Sequence, residues 1–418
     1  MSDAGHPGVA AVPLLPTDEQ LAAFRLAAGF ECAAAACGLK KGGALDLALI
    51  HSARPCAAAG VFTTNRFQAA PVRFDREVLA TSAGRVRGIV ANAGCANAVT
   101  GERGDLDARY MAARAAERIG AEPGQVLVLS TGVIGVFLDR AKLDRGFAAL
   151  GSDAASRAPA DVARAITTTD TRPKIAAAEA RIAGGTIRVA GFAKGAGMIH
   201  PRMATMLAVL TTDATCEPSR LDRVLRAGVE RSFNRISVDG DMSTNDTVLA
   251  LASGASGLAV DDSSEPAFEQ AMEAVCASLA RQIARDGEGA TRLIELAVTG
   301  AESEPQAHRV GDAIACSPLV KTAIHGRDPN WGRILAAAGY SGAAIDAARV
   351  ALWFGDGDAV QLVERGLPLA FDRARASTLL GTDPVNIRID LGLGSHGTTL
   401  WTCDLSAEYV RINADYTT

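Results

Sequence analysis

The 418-residue chain has no Cys-x-x-Cys pair and only six lysines. Its eight cysteines are scattered from Cys32 to Cys403, and the nearest two, Cys32 and Cys37, have no partner pair at zinc-ligand spacing. This speaks against a disulfide framework or a zinc finger. Free, buried thiols in a reducing, cytoplasmic setting are the expectation. The N-terminus lacks a basic segment followed by an apolar one, so no signal peptide is expected. No apolar run reaches the ~18 residues that would suggest a membrane span. With 21 % charged residues and a net charge of −5, the chain offers no basic surface for nucleic acid or an anionic membrane.

Several cofactor motifs are missing as well. There is no Gly-Lys dipeptide, hence no phosphate-binding P-loop. Gly195-Ala196-Gly197 is followed by Met198-Ile199-His200, which is not a dinucleotide fingerprint. His-Glu-x-x-His is absent. Ser395-His396-Gly397 fails as a hydrolase elbow because position 393 is Leu. Asp239-Gly240-Asp241-Met242-Ser243-Thr244-Asn245 starts like a calcium loop. It has Thr244 where glycine is required and Ala250 where glutamate is required, so a hydrogen-bonded turn is the reading. No metal or cofactor is therefore expected.

What remains is 48 % hydrophobic, enough for a sizeable core. Residues 1 to about 28 read as a mobile arm that ends in a short helical pattern. Residues 45–50, 88–92 and 125–130 read as buried strands, the last ending at Thr131-Gly132. Residues 107–119 read as helix. Phe268, Met272, Val275, Cys276, Leu279 and Ile283 form a helical stripe that starts beside Ser264 and Pro266 and stops at Asp286-Gly287. Strands and helices alternate throughout. The expected class is α/β, as a layered sandwich rather than a doubly wound parallel sheet.

The most unusual stretch is Ala193-Lys194-Gly195-Ala196-Gly197-Met198-Ile199-His200-Pro201-Arg202-Met203-Ala204-Thr205-Met206-Leu207. A Gly-rich loop with one of the scarce lysines runs into a small residue, a threonine and a buried strand. Alone, it is also what any loop entering a strand looks like, with Thr205 merely β-favouring.

The stretch resembles the processing site of the glutamate N-acetyltransferase / ornithine acetyltransferase family of arginine biosynthesis. Similar family-like strings are Asn92-Ala93-Gly94-Cys95-Ala96-Asn97-Ala98, Ser130-Thr131-Gly132-Val133-Ile134-Gly135, Thr168-Thr169-Asp170-Thr171 and Ser237 to Asp246. Arg285 to Thr291, His325 to Arg333 and Ile412 to Tyr416 continue the likeness, which spans about Gly29 to Thr418.

The resemblance implies a precursor that cuts itself between Ala204 and Thr205. The products are two chains, 1–204 and 205–418, expected to assemble as α2β2. Thr205 is then the nucleophile, with its own freed α-amine as base; that amine's reference pKa of ~7.7–8.0 leaves a neutral fraction near neutral pH. Thr131 and Gly132 are implied as the oxyanion hole. Thr171, less securely Thr169, with Lys194, Glu288, Asn413 and Thr418 are implied as substrate contacts. The implied reaction moves acetyl from N2-acetyl-L-ornithine to L-glutamate, and acetyl-CoA is a further donor for some members. Two other readings stay open: a self-cleaving hydrolase or aminopeptidase of similar fold, and a relative with a different acyl acceptor. A binding protein that kept the fold without the activity is a third. His200 is read as structural, and Asn330-Trp331-Gly332-Arg333 as packing.

Overall fold

The computed structural model describes residues 14–200 and 206–415. Two sheets, of eight and seven strands among the described residues, organise the chain. The first runs Val126–Val133, Arg85–Cys95, Leu47–Phe62, Thr247–Ala252, Leu207–Thr212, Gly185–Lys194, Lys174–Ile182, with Phe30–Ala35 also paired to Leu47–Phe62. Most pairs are antiparallel. Arg85–Cys95 with Val126–Val133, and Leu207–Thr212 with Thr247–Ala252, are parallel.

The central strands are buried on both faces, so they read as continuous apolar runs rather than alternating ones. Their side chains still divide with period two. Val209, Leu249 and Leu251 join a core with Phe74, Met111 and Phe147 from helices Ala70–Thr81, Gly101–Ile119 and Arg140–Leu150. Ala208, Leu210, Val248 and Ala250 join another with Leu225, Phe268 and Met272 from helices Pro218–Glu230 and Glu265–Arg285. Layers of helix therefore cover both faces of the sheet. No helix among the described residues is long and apolar enough to cross a membrane.

The second sheet runs Leu367–Pro368, Val360–Glu364, Ala351–Phe354, Val385–Asp390, Leu293–Ala301, His396–Cys403, Ile236–Ser237. It has its own core with helices Glu304–Ala315, Pro318–His325 and Trp331–Gly339. Helix Glu265–Arg285 touches both sheets. Its stripe is widened by Ala271, Ala280 and Ala284, so a broad apolar surface is buried. Trp331 packs on the core of the second sheet, and Arg333 donates to the Leu319 carbonyl at 2.8 Å.

Residues 14–28 do not behave as a free arm. Thr17 caps helix Asp18–Ala23 through a capping box. Leu21, Phe24 and Leu26 bury their side chains in the first core, and Ala27 N–H donates to Thr211 Oγ1 at 3.1 Å. Apolar side chains at the end of the segment dock it, an effect its Pro/Gly/Ala composition hides. Residues 1–13 lie outside the described residues. All eight cysteines are free thiols; seven are buried and Cys316 is half-buried.

Candidate active site

Strand Val126–Val133 continues through Thr131 and Gly132 instead of stopping before them. At its end the pairing slips, and Cys95 lies opposite both Thr131 and Val133. Such a bulge re-aims side chains. Gly132 has φ +131°, and a Cβ there would sit 2.4 Å from the Gly94 carbonyl carbon. Both the conformation and the close approach require glycine.

A polar network fixes this strand end. Asn245 Nδ2 donates to the carbonyls of Ala96 at 2.7 Å and Ser130 at 2.8 Å. Ser130 Oγ donates to Asn92 Oδ1 at 2.6 Å, and Asn92 Nδ2 to the Cys95 carbonyl at 2.9 Å. The segment that imitates a calcium loop thus works as a bracket. Asp239 is part of it and accepts from the backbone N–H groups of Met198 at 2.6 Å and Ile199 at 2.8 Å.

The Gly-rich loop is held at three further points. Gly195 N–H donates to Asp170 Oδ1 at 2.6 Å. Glu288 N–H donates to the Ala196 carbonyl at 2.8 Å. The Glu288 carboxylate lies directly on Gly197, where a Cβ would come within 2.4 Å of it. Asn413 Nδ2 donates to that carboxylate at 2.8 Å.

Behind the loop lies a buried ionic cluster. Lys174 Nζ is 2.5 Å from both Asp170 Oδ1 and Asp286 Oδ2, and no part of its side chain is exposed. Burial works against ionising Asp170, but Lys174, Lys194 and the Gly195 N–H together hold its carboxyl well below the usual range. Lys194 is also buried, at 2 % exposure. Its ammonium has no hydrogen bond or ion pair among the described residues. Burial pushes its pKa down, although Asp170, Asp246 and Glu288 pull the other way. Asp246 is fully buried, and burial raises its pKa well above the carboxylate range despite the Met206 N–H that it accepts at 3.0 Å.

One pocket gathers these groups. Thr131, Gly132, Thr169, Lys194, Glu288 and Asn413 all line it, together with Thr168, Ser243, Thr244 and Asn245. The Thr131 hydroxyl has no hydrogen-bond partner among the described residues. Thr171 is placed differently: its N–H and hydroxyl both bond the Asp286 carboxylate, and it is not part of the pocket lining. Of the two threonines, Thr169 therefore reaches the pocket. Ala204, Thr205 and Thr418 lie outside the described residues. A larger cavity elsewhere, lined by Arg25, His51, Arg118 and Arg157, contains none of the candidate catalytic or substrate-contact residues.

Residues 31–418 match the model of the ArgJ family. This chain belongs to the ArgJ family. It is 48 % identical to the arginine biosynthesis bifunctional protein ArgJ of Symbiobacterium thermophilum, over 94 % of this chain and 97 % of that one. The ArgJ of Geobacter sulfurreducens is also 48 % identical, over 93 % of this chain and 99 % of its own length. Among solved structures, ornithine acetyltransferase from Mycobacterium tuberculosis, in complex with ornithine, is 38 % identical. It covers 42 % of this chain and 92 % of its own, with a TM-score of 0.38. This ArgJ-family chain is an acetyltransferase of arginine biosynthesis, so the hydrolase reading falls away.

Reading the residues missed the buried cluster of Asp170, Lys174 and Asp286, the bracket at Asn245, and the wall residues Thr168, Ser243 and Thr244. Two signals pointed there. Lys174 is one of only six lysines, and the string from Ser237 to Asp246 was too polar for an ordinary turn.

Proposed function

We propose that the ArgJ-family pocket moves an acetyl group from N2-acetyl-L-ornithine to L-glutamate through an acetyl-Thr205 intermediate. Cleavage between Ala204 and Thr205 would precede catalysis and expose the α-amine that serves as base. The observation that carries the reading is convergence. Thr131, Lys194, Glu288 and Asn413 stand far apart in sequence yet line one pocket. Strand Leu207–Thr212 begins two residues after Thr205, and its Leu207 pairs with Lys194.

The chemistry follows from these placements. Thr205 Oγ attacks the acetyl carbonyl carbon and passes its proton to its own α-amine. The developing oxyanion is met by the Thr131 hydroxyl and the Gly132 N–H, donors typically worth about 3 kcal/mol each. The intermediate collapses, and the departing ornithine nitrogen takes the proton from the Thr205 ammonium. Glutamate reverses the sequence: its amine attacks the acetyl ester and Thr205 is restored. Lys194, held desolvated and without a hydrogen-bond or ion-pair partner among the described residues, suits a substrate carboxylate; Glu288 suits an ammonium. Buried donors and acceptors that lack protein partners gain the most from a ligand that supplies them.

The parts are expected to assemble as α2β2 in the cytoplasm, with acetyl-CoA as a second donor to test. The decisive experiment incubates purified protein with N-acetylornithine alone and weighs both chains. The expected result is two chains, with Thr205 as the new N-terminus and one acetyl on the C-terminal chain. Glutamate should remove that acetyl much faster than water does. An uncut chain with full transferase activity would sink the proposal. Parallel assays with acetyl-CoA replacing N-acetylornithine define the donor range.

A further inference from the structure

The mechanism leaves one cluster of ligating side chains unused. His200 ends the Gly-rich loop, five positions before Thr205. Its Nδ1 lies 3.4 Å from Cys316 Sγ and 3.9 Å from Asp312 Oδ1, and Cys316 Sγ lies 3.6 Å from Asp312 Oδ1. Ser237 Oγ closes the group, 3.5 Å from Nδ1 and 3.3 Å from Sγ. Asp312 and Cys316 are four residues apart at the end of helix Glu304–Ala315, so they share one face. The three ligating residues are half-buried, open enough for an ion to enter.

Two arguments separate this cluster from a catalytic relay. A relay uses both ring nitrogens, one toward the nucleophile and one toward the orienting carboxylate. Here the thiol and the carboxylate face the same nitrogen. Donors that converge on one point describe a coordination sphere. The spacing agrees. Zinc bonds of about 2.0–2.3 Å at tetrahedral angles put neighbouring nitrogen, sulfur and oxygen ligands roughly 3.3–3.6 Å apart.

We propose that His200, Asp312 and Cys316 form a binding site for a borderline-soft divalent cation of the zinc class. Its fourth position is left to water or the Ser237 hydroxyl. Imidazole, carboxylate and thiolate together select such an ion over calcium or magnesium. On binding, the ion displaces the Cys316 thiol proton into solvent, and His200 keeps its remaining proton on Nε2. A cation held there fastens the end of the Gly-rich loop to helix Glu304–Ala315.

The site is tested on the full, chelator-treated protein by titration with Co2+ as a spectroscopic probe, followed by Zn2+. One equivalent of Co2+ should give a thiolate-to-cobalt charge-transfer band, which Zn2+ then removes. Cys316→Ser should lose the band. His200→Ala and Asp312→Asn, which keep the thiol and alter half-exposed positions, should weaken binding at least ~10-fold. Thermal stabilisation by Zn2+ should vanish in the same three variants. No band in the wild-type protein, or an equal band in Cys316→Ser, would overturn the proposal. So would unchanged affinity in both His200→Ala and Asp312→Asn. None of these readouts depends on acetyl transfer, so failure here leaves the catalytic reading untouched.

Discussion

Lys174 and Lys194 sit side by side at the open end of one β-hairpin, where Lys174 lies opposite Ala193, and both are hidden from water, yet they are treated in opposite ways. Lys174 opens strand Lys174–Ile182 and pairs with two carboxylates at 2.5 Å. Lys194 closes strand Gly185–Lys194, opposite Leu207, and pairs with none among the described residues. A buried charge with two partners holds structure together. A buried charge without one is a standing cost that folding alone does not repay. The contrast sets Lys174 apart as the support and agrees with the role proposed for Lys194 as a substrate contact.

The comparison breaks most visibly at Lys174. Lys174→Met leaves Asp170 and Asp286 facing each other without their cation. Removing one side of a buried pair costs about 3–5 kcal/mol. Asp170 also holds the Gly195 N–H and Asp286 holds Thr171, so the loop should loosen with the cluster. Urea unfolding should show the full loss in midpoint. A variant as stable as the wild type would show that the cluster supports nothing.

Lys194→Met should do the reverse. Losing a charge-assisted hydrogen bond to substrate costs about 1.5–3 kcal/mol, so kcat/KM should fall roughly 10- to 150-fold. Stability should hold or rise near neutral pH. The sign follows from linkage. Burial lowers the Lys194 pKa below its ordinary 10.5, so the unfolded chain binds the extra proton more tightly. Below the depressed value the folded protein bears the whole penalty, and stability recovers as pH climbs toward 10.5. The advantage of Lys194→Met should therefore shrink across that window. Denaturant midpoints measured from neutral to alkaline pH for both proteins check it, and a constant difference would contradict the assignment.

The C-terminal end refines the picture of what reaches the pocket. Its ties differ from those that the sequence suggests. Ile412 reads as an apolar anchor, but helix Ala407–Asp415 has no fully buried residue. The ties are polar: Ser406 Oγ to the Gly289 carbonyl at 2.6 Å and Asn413 Nδ2 to Glu288 at 2.8 Å. Deleting residues 413–418 should leave cleavage at Ala204–Thr205 largely intact and lower acetyl transfer at least ~10-fold, about 1.4 kcal/mol. Transfer at the wild-type rate by a cut, truncated protein would make this end ordinary surface.

The same contrast explains what could be read from the sequence. Central strands and helix Glu265–Arg285 were legible because burial writes a local pattern: apolar runs bounded by turns, or a 3.6-residue stripe. Thr131-Gly132 and the Gly-rich loop were legible because small residues at strand ends are locally unusual. The bond from Lys174 to Asp286 joins positions far apart in sequence, and nothing beside either residue announces the other. Strand Lys174–Ile182 hides for a different reason. Its Ala176-Ala177-Ala178 favours helix, and only pairing with Gly185–Lys194 and packing on helix Glu265–Arg285 make it a strand. The docked segment 14–28 hides likewise, since its partner Thr211 lies in a strand far along the chain.

The smallest expected effects separate the two threonines beside this cluster. Thr171 gives both its N–H and its hydroxyl to Asp286, while Thr169 lines the pocket. Thr171→Val keeps the shape and the N–H but removes the hydroxyl from a buried carboxylate. The loss is one hydrogen bond to a charged group, about 1.5–3 kcal/mol of stability, with KM nearly unchanged. Thr169→Val changes only the pocket wall. Stability should stay within about 0.5 kcal/mol, as for substitutions away from packed or networked positions. KM for glutamate or N-acetylornithine should rise a few-fold, roughly the effect of losing one neutral hydrogen bond of about 1 kcal/mol. Steady-state kinetics and thermal melts on both variants decide the matter. If Thr171→Val raises KM without touching stability, substrate contact belongs to Thr171, and the Asp286 bond is a resting arrangement that the ligand displaces.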